Sequence, residues 1–319
     1  MSTPQRVLLT GATGHVGGRL FRQLVSEPGV LVRALVRSPL VIPDWARESE
    51  VVVGDLSDAS TRKQALLGAD TVVHLATRGF SAAVAPTQHE LDDERRIARM
   101  LAQEAVLSGV SRYLFVSSIH VYGNSLSGRV DDMTPTSPST AYGASRLQME
   151  SDLLEVTEST HVNANVIRLT NSFGVPAFPR PETWNLLVHD LCRQVVTSSR
   201  ILLRSDARIC RDTMALRDVT TVMTRLISSA KFPPGVFLLA SGASMQLREI
   251  AELVKRQAEL AFGVAVQIES RSHDDLAPAS FTLDSQKLRA TGTMITDSRD
   301  AEIRDLLNLA MHEFGRNGS

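Results

Sequence analysis

The segment Thr10-Gly11-Ala12-Thr13-Gly14-His15-Val16-Gly17 follows the apolar run Val7-Leu8-Leu9 and opens an amphipathic stretch through Leu20, Phe21 and Leu24. Strand, glycine turn and helix in that order let a backbone hold a pyrophosphate. Gly11 permits the tight turn, Gly14 lets the main chain approach the phosphates, and Gly17 brings the helix against its strand. The free N–H groups of the first helical turn then point at the anion. Gly11, Thr13, Gly14, His15, Val16 and Gly17 are therefore candidate contacts to a dinucleotide. The competing reading of a glycine triplet is a structural turn, and the position of this one after a single short strand favours the dinucleotide.

The chain has 319 residues, enough for one large or two intimate domains with a sizeable core. Its formal net charge is −1, and no basic stripe interleaves with aromatics, so nucleic acid is not an expected partner. No run approaches the roughly 20 apolar residues of a membrane span, so no membrane partner is expected either. The first strand begins near residue 7, which argues against a signal peptide and for a cytoplasmic protein. Cys192 and Cys210 lack a metal-binding or redox spacing and read as reduced core thiols; no metal site is expected.

Short apolar runs at 7–9, 30–36, 51–53, 71–75, 113–117 and 166–169 alternate with helical patterns near 17–26, 59–67, 92–108 and 142–157. Strands buried on both faces and separated by helices predict an α/β fold with a doubly wound parallel Rossmann sheet. Pro176, Pro179 and Pro181 break the alternation. Beyond them the pattern predicts a helix over 183–197, strands near 201–204 and 236–240, and helices near 246–262 and 300–314. The expected division is a dinucleotide-binding domain over 1–173, also receiving segments near 205–240, and a smaller substrate-binding lobe, mainly 174–319.

The second strand ends in Val36-Arg37-Ser38, with arginine where an acid would accept the adenosine ribose hydroxyls of NAD. A guanidinium suits the 2′-phosphate of NADP, which it grips with parallel charged hydrogen bonds. The plainer alternative is a solvated arginine at a strand end. Asp55-Leu56 reads as an adenine contact or, for the aspartate, a helix cap. Leu75, Ala76 and Thr77 would wall the middle of the cofactor, and His74 beside them reads as structural.

The fifth strand leads into Ser117-Ser118-Ile119-His120-Val121-Tyr122-Gly123, and Tyr142-Gly143-Ala144-Ser145-Arg146 follows. With these residues the whole chain resembles the extended short-chain dehydrogenase/reductase superfamily, the NAD-dependent epimerases and dehydratases. That family carries a serine or threonine on this turn, then a tyrosine with a lysine four positions later. The resemblance implies that Ser118 hydrogen-bonds a substrate oxygen and Tyr142 transfers the proton. The lysine of the family binds the nicotinamide ribose and lowers the tyrosine pKa. Here Arg146 stands in its place. It keeps the positive charge, but it is forked and effectively never deprotonated. Asp93 falls near a position where many relatives carry asparagine.

Arg168-Leu169-Thr170-Asn171-Ser172-Phe173-Gly174 and Arg211-Asp212, ahead of Ala215-Leu216-Arg217-Asp218-Val219, resemble segments of nucleotide-sugar epimerases, dehydratases and reductases. The resemblance implies that Asn171 and Arg211 contact the substrate's diphosphate. The dehydratases carry Thr-Asp-Glu where this chain has Ser118, Ile119 and His120, and isoleucine cannot act as an acid, so elimination is disfavoured. His120 reads as a donor to a substrate hydroxyl or as a packed turn residue. Arg37, Arg211-Asp212 and the tail Phe281-Thr282-Leu283-Asp284 with Leu288-Arg289-Ala290-Thr291-Gly292 most resemble NADPH-dependent 4-ketoreductases of dTDP-4-keto-6-deoxyhexoses in natural-product (antibiotic) biosynthesis. Two alternatives stay open: a nucleotide-sugar 4-epimerase with retained NAD, and a dinucleotide-binding sensor or scaffold without turnover. The resemblance also implies a homodimer built on helices 92–108 and 142–157, with Leu101, Ala105, Leu147, Leu153 and Leu154 as candidate contacts.

Overall fold

The computed structural model describes residues 4–39, 42–77, 86–229, 232–270 and 279–315. In chain order the main elements are β1 (Gln5–Thr10), α1 (His15–Val25), β2 (Val30–Val36), β3 (Glu50–Val53), α2 (Ala59–Leu66), β4 (Thr71–His74), α3 (Gln88–Leu107), β5 (Arg112–Ser118), β6 (Gly128–Asp131), α4 (Ala141–Thr157), β7 (Asn163–Leu169) and β8 (Asn171–Phe173). There follow α5 (Leu187–Ser198), β9 (Arg200–Leu203), β10 (Cys210–Arg211), β11 (Thr213–Ala215), α6 (Leu216–Ser228), β12 (Gly235–Leu239), β13 (Met245–Gln246), α7 (Leu247–Phe262), β14 (Gln267–Ser270), β15 (Phe281–Asp284), α8 (Gln286–Ala290) and α9 (Arg299–Phe314).

Seven strands form one parallel sheet in the order β12-β7-β5-β4-β1-β2-β3. Strand order reverses between β1 and β4, and ligands of open α/β sheets bind in the crevice at such a reversal. Successive strand residues serve opposite faces. Val7, Leu9, Val73, Leu114 and Ile167 pack with α1 and α6, whereas Leu8, Val72, Phe115 and Val166 pack with α2, α3 and α4. That period of two, with both faces covered, is why the strands read as continuous apolar runs.

Local signals fix the helices that shape the crevice. Thr87 and Glu90 form a capping box at the start of α3. Asp58 caps α2 by accepting from the Ser60 amide. Along their outer ridge α3 and α4 are clamped by Arg95 and Arg99 to Asp152, and by Arg99 to Glu155. Leu101, Ala105 and Leu153 lie in the subunit's own core and Leu147 packs against a smaller cluster, so of the proposed dimer contacts Leu154 alone is exposed.

A second cluster joins Phe173, Trp184, α5, β9, α7 and α9. Here the expected helix over 183–197 is corrected. Pro181–Asn185 form a 3-10 turn, Leu186 is extended, and α5 begins at Leu187. Proline at the start of the turn fixes its φ, and the Thr183 hydroxyl donates to the Arg180 carbonyl to close it. Short two-stranded pairs, β8 with β11, β10 with β13, β9 with β14 and β6 with β15, complete the fold. No helix among the described residues is long and apolar enough to cross a membrane.

Candidate active site

A cleft of about 440 Å³ opens where the strand order reverses. On its floor Gly11 takes φ +72°, and a Cβ on Gly17 would stand 2.1 Å from the Gly11 carbonyl oxygen. The helix therefore begins directly against its strand, as only glycine allows. The amides of the first turn of α1 have no partner within the helix, and Gly11, Thr13, Gly14, His15, Val16 and Gly17 all line the cleft. Leu75, Ala76 and Thr77 form the opposite wall, with the Ala76 amide donating to Thr10 Oγ1 at 3.2 Å.

Arg37 is exposed at one end of the cleft beside Asp55 and Leu56. Asp55 also accepts from the Ser57 amide at 2.8 Å, which makes an Asx turn; the helix cap is Asp58. His15 turns its ring toward His189, centroids 5.1 Å apart, and its pKa falls to about 3 through burial and then that neighbour. It is a neutral ring packed behind the phosphate loop. His74 shares a 2.8 Å hydrogen bond with Thr10 Oγ1 and stacks on Phe115. Burial, then the charge of Arg146, pushes its pKa to about 3.

At the other end stand Ser118 and Tyr142. Ser118 ends β5, where its Oγ accepts from the His120 amide at 3.3 Å. Tyr142 enters from the first turn of α4, with the Thr140 hydroxyl as N-cap. Arg146, one turn on, has a side chain only 3% exposed. Its guanidinium is hydrogen-bonded to Tyr142, lies 5.0 Å from the centre of that ring, and pairs with Glu94 on α3 at 2.5 Å. Burial pulls the Arg146 pKa down, but Tyr142 and Glu94 outweigh it and hold it above the ordinary arginine value. Of the two neighbouring acids on α3, Glu94 lines the cleft, whereas Asp93 is outside its lining and pairs with Arg96.

The residues expected to grip substrate stand apart from that cleft. Asn171 Nδ2 donates to the Asp212 carbonyl at 3.2 Å, so it braces β8 against β11. Asp212 is buried and holds the Ser241-Gly242 turn. Asp218 holds Thr296 and Ser298. Arg168 is locked to Glu150 at 2.8 Å beneath the site. Arg211 is exposed and donates to its neighbour's carbonyl, yet its charge reaches His120. Burial, with that charge, lowers the His120 pKa against a hydrogen bond that the ring donates to Asn124, and the ring stands edge-on to Tyr142 at 6.0 Å. His120 and Arg211 therefore flank the Tyr142 end from outside the main cleft.

Arg180, Glu182, Thr183 and Leu186 line the cleft and were missed from sequence. Arg180 reaches over the glycine loop, 3.3 Å from the Thr13 carbonyl oxygen, while pairing with Glu182. The cluster of prolines was the signal: a segment that leaves the alternation directly after a sheet strand arrives at the strand ends. Glu94 was missed because an acid inside a charged helix reads as solvated surface.

The chain is similar in sequence and in fold to known proteins. The chain is 28% identical over 185 residues to a UDP-glucose 4-epimerase of Vibrio cholerae, a match spanning 54% of this chain and about half (53%) of that relative. It is 25% identical over 300 residues to a dTDP-glucose 4,6-dehydratase of Streptomyces griseus, covering 89% and 87% of the two chains. In fold it is similar to MoeE5, solved in complex with UDP-glucose and NAD, with a TM-score of 0.78, 19% identity and coverage of 98% and 100%. The family model described as the NAD dependent epimerase/dehydratase family matches residues 7–240, the whole stretch from the first sheet strand through the last, and this chain belongs to that family.

Proposed function

We propose that the protein uses NADPH to reduce the C4 ketone of a nucleotide-activated deoxysugar, a dTDP-4-keto-6-deoxyhexose. The observation that carries this reading is Arg37: the end of β2 that lines the cleft presents an exposed guanidinium, not a carboxylate, in line with the glycine loop and with Ser118 and Tyr142. The residues present fit a dinucleotide. The first-turn amides and Arg180 would hold its diphosphate, Arg37 its 2′-phosphate, and the buried Nε of Arg146, without a partner among the described residues, leaves a donor at the Tyr142 end.

When bound, the nicotinamide supplies a hydride. Ser118 Oγ donates a hydrogen bond to the ketone oxygen, and Tyr142 gives its phenolic proton to that oxygen as charge builds there. Arg146 is hydrogen-bonded to Tyr142 and keeps its positive charge beside that ring. Ile119 is buried and offers no acid for eliminating water.

A second reading, a nucleotide-sugar 4-epimerase with retained NAD, is favoured by Arg180 strapped across the phosphate loop and by the similarity to the Vibrio cholerae enzyme. One incubation separates them. NADPH and a panel of 4-keto sugar nucleotides are mixed with the protein, and nicotinamide absorbance is followed. Stoichiometric loss with at least one ketone supports the reductase. No loss, together with NAD released from the denatured protein, replaces it with the epimerase; neither result leaves a binding protein. A homodimer through α3 and α4 belongs to the same proposal. With the named apolar residues other than Leu154 packed inside the subunit, that contact would draw on Leu154 and the charged ridge, and sedimentation at low and high salt checks it.

A further inference from the structure

Glu94 is a negative charge built into a cleft that, on the reading above, receives a negatively charged ligand. Its side chain is only 10% exposed, it lines the cleft, and its Oε1 accepts from Arg146 Nη2. Nothing about the placement is loose. The capping box at Thr87 starts α3 about two turns earlier, and the Arg95 and Arg99 pairs to α4 fix the register in which Glu94 meets Arg146. A buried carboxylate is costly unless its acceptor capacity is used.

Arg146 can only donate hydrogen bonds. It gives one to Glu94 and one to Tyr142, and its Nε has no partner among the described residues. A ribose diol must both donate and accept, so a guanidinium alone satisfies half of it. The phosphates would sit at the start of α1 and the adenosine end at Arg37, which leaves the uncharged nicotinamide ribose for the end where Glu94 stands. We propose that Glu94 supplies the acceptor for the hydroxyls of that ribose, in one unit with Arg146, which stands where the family carries its ribose-binding lysine. Glu94 accepts from a ribose hydroxyl, Arg146 donates to the diol, and their mutual pairing holds the guanidinium on Tyr142. The inference rests on the dinucleotide reading above, not on the identity of the sugar.

The test is a binding titration with the tighter of NADPH and NADH. The control is the matching adenosine half, 2′,5′-ADP or ADP, which carries no nicotinamide ribose. Glu94→Gln should weaken the whole dinucleotide at least tenfold and leave the half within twofold of wild type. Since losing one partner of a buried pair can unfold a protein, the double variant Glu94→Gln/Arg146→Gln removes both charges together and should show the same selective loss. Unchanged dinucleotide affinity, or parallel weakening of both ligands, overturns the unit. A wild type that binds neither NADPH nor NADH overturns the cofactor reading and this inference with it, whereas failure to reduce any ketone touches only the proposed reaction.

Discussion

Helix α4 carries two buried ionic residues one turn apart, and they face different surroundings. Glu150 looks down into the sheet, where it accepts from Arg168 Nε and Nη2 and from Ser117, while Arg168 also donates to the Tyr122 hydroxyl at 3.0 Å. That network is closed: none of its side-chain polar atoms lacks a partner. Arg146 looks up into the cleft, paired to Glu94 and Tyr142, but among the described residues its Nε has no partner, and near it neither has His74 Nε2. Buried polar groups are almost always satisfied. A closed network therefore reads as structure, and an open one beside a cleft reads as a place where a ligand completes the bonding.

The largest effects should separate the two networks by kind. On the proposed reaction, Tyr142→Phe removes the proton donor and should cut turnover by about 10²–10⁴-fold. Its unfolding midpoint and its dinucleotide affinity should stay near wild type; a large loss of both would mean that the open network is structural as well. Glu150→Ala should do the reverse. It strands Arg168 inside the protein and should cost about 3–5 kcal/mol of stability, read from urea unfolding. If Glu150→Ala unfolds at the wild-type midpoint, the contrast fails on its structural side.

The same contrast governs what the sequence disclosed. Ser118 and Tyr142 were legible because their places follow from backbone alone, the end of a sheet strand and the first turn of a helix. So were Gly11 to Gly17 and the order of alternating elements, since parallel strands covered on both faces write themselves as apolar runs. Arg168, Asn171 and Arg211 sit just as regularly at strand ends, yet two of them are absorbed by bonds to Glu150 and the Asp212 carbonyl. No local pattern separates an arginine that meets a ligand from one that meets a glutamate 18 residues away. Glu94 and Arg180 depend on how α3 and the loop after β8 pack, which is a property of the folded chain.

Acid should expose the buried histidines. His15 and His74 have pKa values held at about 3 and His189 at about 4, burial being the first cause in each. The folded rings stay neutral while the unfolded ones take up protons below about 6.5. Their contribution is complete above that value and is lost as pH falls toward 3 to 4. At pH 5 each ring costs about 2 kcal/mol relative to pH 7. In His74→Asn the loss of unfolding free energy between pH 7 and 5 should shrink by about that amount. Parallel stability–pH curves for variant and wild type would show that His74, for all its unpartnered Nε2, is protonated without penalty, and would take it out of the open network.

The smallest effect is expected farthest from both networks. Arg37 is exposed, lines the cleft at the end of β2 and has no ion pair among the described residues. A charged hydrogen bond to a 2′-phosphate is worth more than a neutral one, but solvent screens an exposed site. Arg37→Ala should therefore weaken NADPH by about 1–2 kcal/mol, roughly five- to thirtyfold. NADH, which lacks the phosphate, should bind as before. The salt dependence sharpens the point. If the arginine acts through charge at the surface, the preference for NADPH should narrow as ionic strength rises in the wild type, and not in the variant, where the charge is gone. The buried Glu94–Arg146 pair, shielded from ions, should contribute to both cofactors equally and at any salt concentration. Titrations in which wild type prefers NADH, or in which Arg37→Ala leaves the preference unchanged, would remove the argument from Arg37 and turn the balance toward an enzyme that works with bound NAD.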